Sequence, residues 1–214
     1  MKNALMLFLC LTPLTIKADP IQVPIVTENV RIVHARELMG SRYYSKSVVS
    51  KAQLNSNYEH NMLAIVTKRL PKAYKKDSEA ITNVIIKEAT LHSLDPFFVM
   101  AIISGESSFN PLAIGPVGEI GLMQLRASTG EWMAKVTKSP WKGEKSLKDP
   151  VTNIRLGTAY LAWLRQKFSG QGQLYVAAYN MGPSSVRNAV GRKIYPKDYP
   201  RHVMRKYVEF YAEI

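Results

Sequence analysis

The stretch Asp95-Pro96-Phe97-Phe98-Val99-Met100-Ala101-Ile102-Ile103-Ser104-Gly105-Glu106-Ser107-Ser108-Phe109-Asn110-Pro111 decides the fold. Asp95 is placed to cap a helix whose first position is Pro96. The apolar run 97–103 then carries a single carboxylate, Glu106, to the far end of that helix. A Pro/Gly-rich loop, 110–121, follows immediately. Apolar surroundings and the negative end of the helix dipole both disfavour an ionised Glu106. The carboxyl is therefore expected to hold its proton near neutral pH, as a general acid must, with the rest of the chain building a groove over it.

Working outward, the pattern is one helix after another. Asp77 or Ser78 can start a helix with Ile81, Val84, Ile85, Ala89 and Leu91 on its apolar side. Pro111, Gly115, Pro116 and Gly118 make the loop 110–120 a turn or short hairpin. Helix is expected to resume at 121–125 and again at 129–136. A polar linker over 138–148 leads to Asp149-Pro150, which caps a long amphipathic helix carrying Ile154, Leu156, Ala159, Leu161, Leu164 and Phe168. Gly170 and Gly172 break it. Short helices over 173–180 and 184–190 flank Gly182-Pro183, and a last one runs from about 200 to 212. Upstream, 30–39 reads as a helix ending at Gly40, 41–57 as loop, and 60–70 as a helix stopped by Pro71. The run 72–76 reads as solvated. No strand-rich region and no internal repeat is present, so the fold class is mainly α.

Length and charge bound the reading further. With 214 residues the chain suffices for one well-buried domain and little more. Met1-Lys2-Asn3, an apolar stretch over 4–16 and the small residue Ala18 read as a secretory signal, too short for a membrane span. An uncut hydrophobic anchor is the alternative. Leu9 is bulky where a lipid attached at Cys10 would need a small residue. Cleavage after Ala18 would remove Cys10, the one cysteine, leaving an exported protein held by its core alone. The organisation expected is thus a signal over 1–18, an extension over 19–77 packed on or tethered to the rest, and a main domain over 78–214. The formal charge is +13, and losing Lys2 and Lys17 with the signal lowers it by two, to +11. Such an excess points to an anionic partner. Export, with no base-and-aromatic alternation and no zinc-finger spacing, argues against nucleic acid and leaves an acidic cell wall or membrane face.

Three segments in order, Glu106-Ser107-Ser108-Phe109-Asn110-Pro111, Gly121-Leu122-Met123-Gln124 and Ala178-Tyr179-Asn180-Met181-Gly182-Pro183, resemble the motifs of the soluble lytic transglycosylases. The helix containing Gly157-Thr158-Ala159-Tyr160-Leu161 resembles that family too, and the likeness covers roughly 78–214. The resemblance implies a lysozyme-like α+β catalytic domain, here with a helical N-terminal extension. It implies cleavage of the MurNAc-GlcNAc β-1,4 bond of peptidoglycan glycan strands in the periplasm or cell envelope, leaving 1,6-anhydroMurNAc ends. It also implies that Glu106 alone serves as acid and then base, that no cofactor is needed, and that the chain acts as a monomer. Carried over residue by residue, Gln124 lines the groove, where its amide can donate to and accept from a sugar acetamido group. Met123 gives an adaptable apolar wall, and the Tyr179 hydroxyl lies near the catalytic glutamate and orients it. Asn180 shapes the turn, and Ser107 and Asn110 pin loop backbone.

Departures from the family pattern bear on substrate preference. Gly115 stands where a serine is common, Glu119 where a small residue is usual, and Leu125-Arg126-Ala127 where an apolar residue and proline follow the glutamine. Tyr199 fits the family's late tyrosine, while Tyr195 takes the place of an acidic residue. Glu119 is the interesting second carboxylate: facing Glu106 it would raise a pKa by like-charge repulsion and open a lysozyme-type hydrolytic route. Arg126 offers a partner for a peptide-stem carboxylate. His34, His60, His92 and His202 lack metal-ligand spacing and read as surface or capping residues, so no metal is expected. A further alternative is a non-catalytic wall-binding accessory of a secretion, conjugation or pilus machine, with 19–77 as the place where that partner binds.

Overall fold

The computed structural model describes residues 28–45, 47–52 and 57–214; the signal read over 1–18 lies outside them. The elements are α1 (Glu28–Met39), α2 (Val48–Ala52), α3 (Tyr58–Arg69), α4 (Ser78–Leu91), α5 (Pro96–Ser107), α6 (Ala127–Thr137), α7 (Pro150–Lys167), α8 (Gly172–Met181), α9 (Pro183–Gly191) and α10 (Asp198–Ala212). Short 3-10 turns occupy Gly40–Arg42, Lys72–Asp77 and Glu144–Lys148. Among the described residues the β content is two isolated antiparallel bridges, Ile114 with Ile120 and Ile120 with Leu125. The molecule is mainly α, and none of these helices is long and apolar enough to cross a membrane.

Helix α5 is the axis of the core. Every residue from Pro96 to Ile103 is buried, because a helix apolar on all sides is stable only when surrounded. Its N-terminus is fixed by Asp95, itself fully buried. One Asp95 oxygen accepts the Phe97 N–H at 2.9 Å, and the other accepts the hydroxyls of Tyr207 and Tyr211 on α10, each at 2.6 Å. Burying a carboxylate is tolerated when its lone pairs are satisfied in this way. Helix α10 therefore grips α5 at its start, and a third tyrosine of α10, Tyr199, reaches the other end.

The described part of 28–77 shares this core. Ala35 and Leu38 of α1, Val49 of α2, and Met62, Ile65 and Val66 of α3 are buried in it. His34 is fully buried, not the surface or capping residue its isolation in sequence suggests. Its Nδ1 accepts the Asp95 N–H at 2.9 Å, which leaves Nε2–H to donate to the Tyr175 hydroxyl at 2.9 Å. The ring thus ties α1 to α5 and α8.

Three further expectations need correction. The 121–125 segment is a turn, since Gly121 (φ +82°) and Gln124 (φ +47°) are left-handed, and reciprocal bonds between Ile120 and Leu125 at 2.9 and 3.1 Å close a small ladder around it. The 41–57 stretch contains α2, anchored by buried Val49 and started by Ser47, whose hydroxyl accepts the Ser50 N–H at 3.2 Å. Leu91, expected on the apolar face of α4, is 68% exposed.

Candidate active site

Glu106 sits on the last turn of α5. Beyond it the chain reverses through two consecutive left-handed residues, Ser108 and Phe109 (φ +50° and +64°), with Phe109 driven into the core. Ser107 turns its hydroxyl to the Leu122 carbonyl at 2.8 Å, so the helix end is sewn to the following loop. Asn110 Oδ1 accepts the Leu112 N–H at 3.0 Å and starts that loop.

A cleft of about 620 Å³ opens over Glu106. One side is the loop bearing Pro116, Glu119, Gln124, Leu125 and Arg126; the other is Tyr160 with the α8–α9 corner, Tyr179 to Gly182. Burial pushes the Glu106 carboxyl up to about 7; the Tyr199 hydroxyl, which donates to Glu106 Oε1, draws it back, and the Glu119 charge adds to the rise. A carboxyl so placed passes between donor and acceptor of a proton within the neutral range.

The tyrosine that bonds Glu106 is Tyr199. Tyr179, expected in that role, lines the cleft but donates its hydroxyl to the Met123 carbonyl at 2.8 Å. Met123 does not form a cleft wall. Its side chain is fully buried and fills the space left by Gly157, where a Cβ would meet its sulfur at 2.5 Å. Gln124 does line the cleft, yet both of its amide hydrogens are engaged, at 2.9 Å by the Gly121 carbonyl and at 3.1 Å by that of Ala113. Its oxygen is the group left to meet a ligand. Asn180 is exposed on the opposite side.

Gly115 holds no side chain because there is no room for one. A Cβ there would lie 2.5 Å from Glu119 Oε2 and 2.7 Å from Gln124 Oε1. Glu119 itself is anchored, accepting from the Val117 N–H and from Arg126 Nε, each at 3.2 Å. Partial desolvation works against its charge, but bonds from its own and the Val117 N–H and from Arg126 outweigh it and hold the carboxyl below the ordinary range. Glu106 and Glu119 are thus pushed apart in acidity, one toward the neutral acid and one toward the fixed anion.

Sequence reasoning missed the residue that shapes the loop. Asn153 on α7 is fully buried. Its Oδ1 accepts the Met123 N–H at 2.7 Å, and its Nδ2 donates to the carbonyls of Ile120 and Leu147 at 2.8 and 2.9 Å. Gly121 is required beside it, since a Cβ there would lie 2.4 Å from Nδ2. A polar residue next to Ile154 on an otherwise apolar helix face is the signal that could have found it. Tyr160, Ser128 and Thr129 also line the cleft without having been singled out as site residues.

The family model described as the transglycosylase SLT domain matches residues 83–200. A putative soluble lytic murein transglycosylase of Haemophilus influenzae is 38% identical over 125 residues, covering 58% of this chain and 20% of that protein. The soluble lytic murein transglycosylase of Escherichia coli K12 is 32% identical over 165 residues, covering 73% of this chain and 26% of its own length. The chain therefore spans about a quarter or less of these relatives. The crystal structure of the 70 kDa soluble lytic transglycosylase from Escherichia coli superposes with a TM-score of 0.56 at 26% identity, over 78% of this chain and 31% of that one. A complex of a 70 kDa soluble lytic transglycosylase with bulgecin A gives the same TM-score at 24% identity, over 94% of this chain and 38% of the other, a likeness of fold.

Proposed function

Because the chain belongs to the transglycosylase SLT domain family, we propose that it is a peptidoglycan lytic transglycosylase of the cell envelope that uses Glu106 as its single acid and base. The observation that carries this reading is the state of Glu106: a half-buried carboxyl at the floor of a cleft, raised to about 7 and held by Tyr199.

The chemistry follows from that state. The protonated Glu106 donates to the bridging oxygen as the bond from the muramic acid anomeric carbon to that oxygen breaks. The carboxylate so formed then takes the proton of the same sugar's 6-hydroxyl while its oxygen closes on the anomeric carbon. One proton leaves Glu106 and one returns, and the product carries a 1,6-anhydro ring. An attacking group already attached to the substrate needs no positioned water and gains the advantage of an intramolecular step. The engaged Glu119, bonded to Val117 and Arg126, is consistent with a route that uses no second catalytic carboxylate.

The hydrolytic reading keeps one observation in its favour: Glu119 is near enough for its charge to raise Glu106. Mass spectrometry of a wall digest separates the two. Anhydromuramyl ends are expected; reducing ends alone would transfer the mechanism to a water attack. Glu106→Gln is expected to lower turnover by roughly 10²–10⁴-fold while the fold and wall binding persist. Undiminished cleavage by that variant would remove Glu106 from the reaction.

A further inference from the structure

The charged pair beside the catalytic carboxyl takes no part in the proton cycle above. Arg126 Nε donates to Glu119 Oε1 at 3.2 Å, and Glu119 Oε2 is pinned by the Val117 N–H. The absence of a side chain at Gly115 makes room for this carboxylate. Both residues line the cleft that holds Glu106, and Arg126 is the one cation among the described residues lining it. Its side chain remains 59% exposed. Glu119 engages only Nε, so the terminal nitrogens of the guanidinium have no protein acceptor among the described residues. A guanidinium steadied at Nε presents its end as a two-donor fork, the shape that matches a carboxylate.

A glycan backbone is uncharged, and its carboxylates lie on the muramic acid side chain: the lactyl group, or the stem peptide attached to it. We propose that Arg126, positioned by Glu119, is a carboxylate receptor that reads this side chain and sets the preference of the cleft for acid-bearing over neutral glycan. The inference rests on the wall-glycan reading above and names a specificity determinant within it.

Binding tests it without turnover. The full chain carrying Glu106→Gln is titrated, at an ionic strength of about 0.15 M to screen the general basic charge, with three soluble strand preparations. One retains its stem peptides, one has been stripped by an amidase to expose lactyl carboxylates, and one has been stripped and then amidated at those carboxylates. Acid-bearing strands are expected to bind roughly tenfold more tightly than amidated ones, the worth of one charge-assisted fork at a part-exposed site. Adding Arg126→Ala brings that ratio close to one, and Arg126→Lys restores only part of it. Glu119→Gln lowers the ratio although the arginine charge is intact, which a plain charge effect would not do. A stronger response with intact strands assigns the stem peptide as ligand, a stronger response with stripped strands assigns the lactyl group, and an equal response means that the fork accepts either carboxylate. An unchanged ratio in Arg126→Ala, or a full ratio in Arg126→Lys, overturns the receptor while leaving the enzyme assignment standing. Failure of all three preparations to bind overturns both.

Discussion

At the scale of single residues the decisive contact is the Tyr199 hydroxyl on Glu106. It favours the ionised carboxyl and so opposes the rise that burial imposes. Tyr199→Phe is therefore expected to move the alkaline limb of the pH–rate profile to higher pH, and to lower kcat by roughly tenfold as the carboxyl loses its orientation. An unmoved limb would mean the bond does not tune the acid. A second prediction concerns stability. The folded Glu106 holds its proton up to about 7, whereas an unfolded one releases it near its ordinary value of 4.5. The native state thus binds more protons between those values and loses stability as pH rises through them. Glu106→Gln should be more stable than the parent by about 1–3 kcal/mol above pH ~7, with the gap closing toward pH ~4.5, as urea denaturation across that range would read. The carboxyl itself was legible in sequence, because an apolar run ending in one acid specifies its own environment. Its bond to Tyr199 was not: that tyrosine, singled out as the family's late one, lies 93 positions away, and only the pairing of α5 with α10 decides that it, rather than Tyr179, hydrogen-bonds the acid.

Among elements, α5 and α10 behave as one unit. Tyr207 and Tyr211 hold the start of α5 through Asp95, while Tyr199 holds its end. The long helices were readable from their caps: Asp95 and Asp149 accept the Phe97 and Thr152 N–H groups as their Asp-Pro pairs suggest. The turn over 121–125 was not readable, because its shape is imposed from outside by Asn153 rather than by local preference. Removing that side chain leaves the Met123 N–H and the Leu147 carbonyl without the partner Asn153 gives them, and takes one of two donors from the Ile120 carbonyl, which keeps the Leu125 N–H. Asn153→Ala is expected to cost about 2–4 kcal/mol and to lower turnover as well, since Gln124 and the Glu119 loop lose their register. Unfolding by denaturant beside the rate on wall substrate checks both; a stability loss with normal turnover would show that the loop keeps its shape unaided.

For the molecule as a whole, the extension over 19–77 read as packed on, or tethered to, the main domain, and apolar residues of its described part, Ala35, Leu38, Val49, Met62 and Val66 among them, lie in the shared core. His34 shows how, and why sequence did not reveal it: a lone histidine carries no periodic signal, and its two partners come from α5 and α8. Burial, then the neighbouring Arg165 charge, hold its pKa well below the usual range. The unfolded chain gains a proton on this ring as pH falls through about 6.5 and the native chain does not, so its stabilising effect is complete above that value and fades below it. His34→Ala should cost about 2–4 kcal/mol near pH 8, with the deficit narrowing in acid, as thermal or urea unfolding at several pH values would show. A deficit independent of pH would mean the ring titrates alike in both states. The hydroxyl of Tyr179 on the Met123 carbonyl works at the same scale, joining the α8 side to the loop side beneath the open space. That bond stitches the two banks of the trough together below and opposes a jaw-like closure. The trough resembles a rail, along which a polymer would be held in register by what lies on the banks.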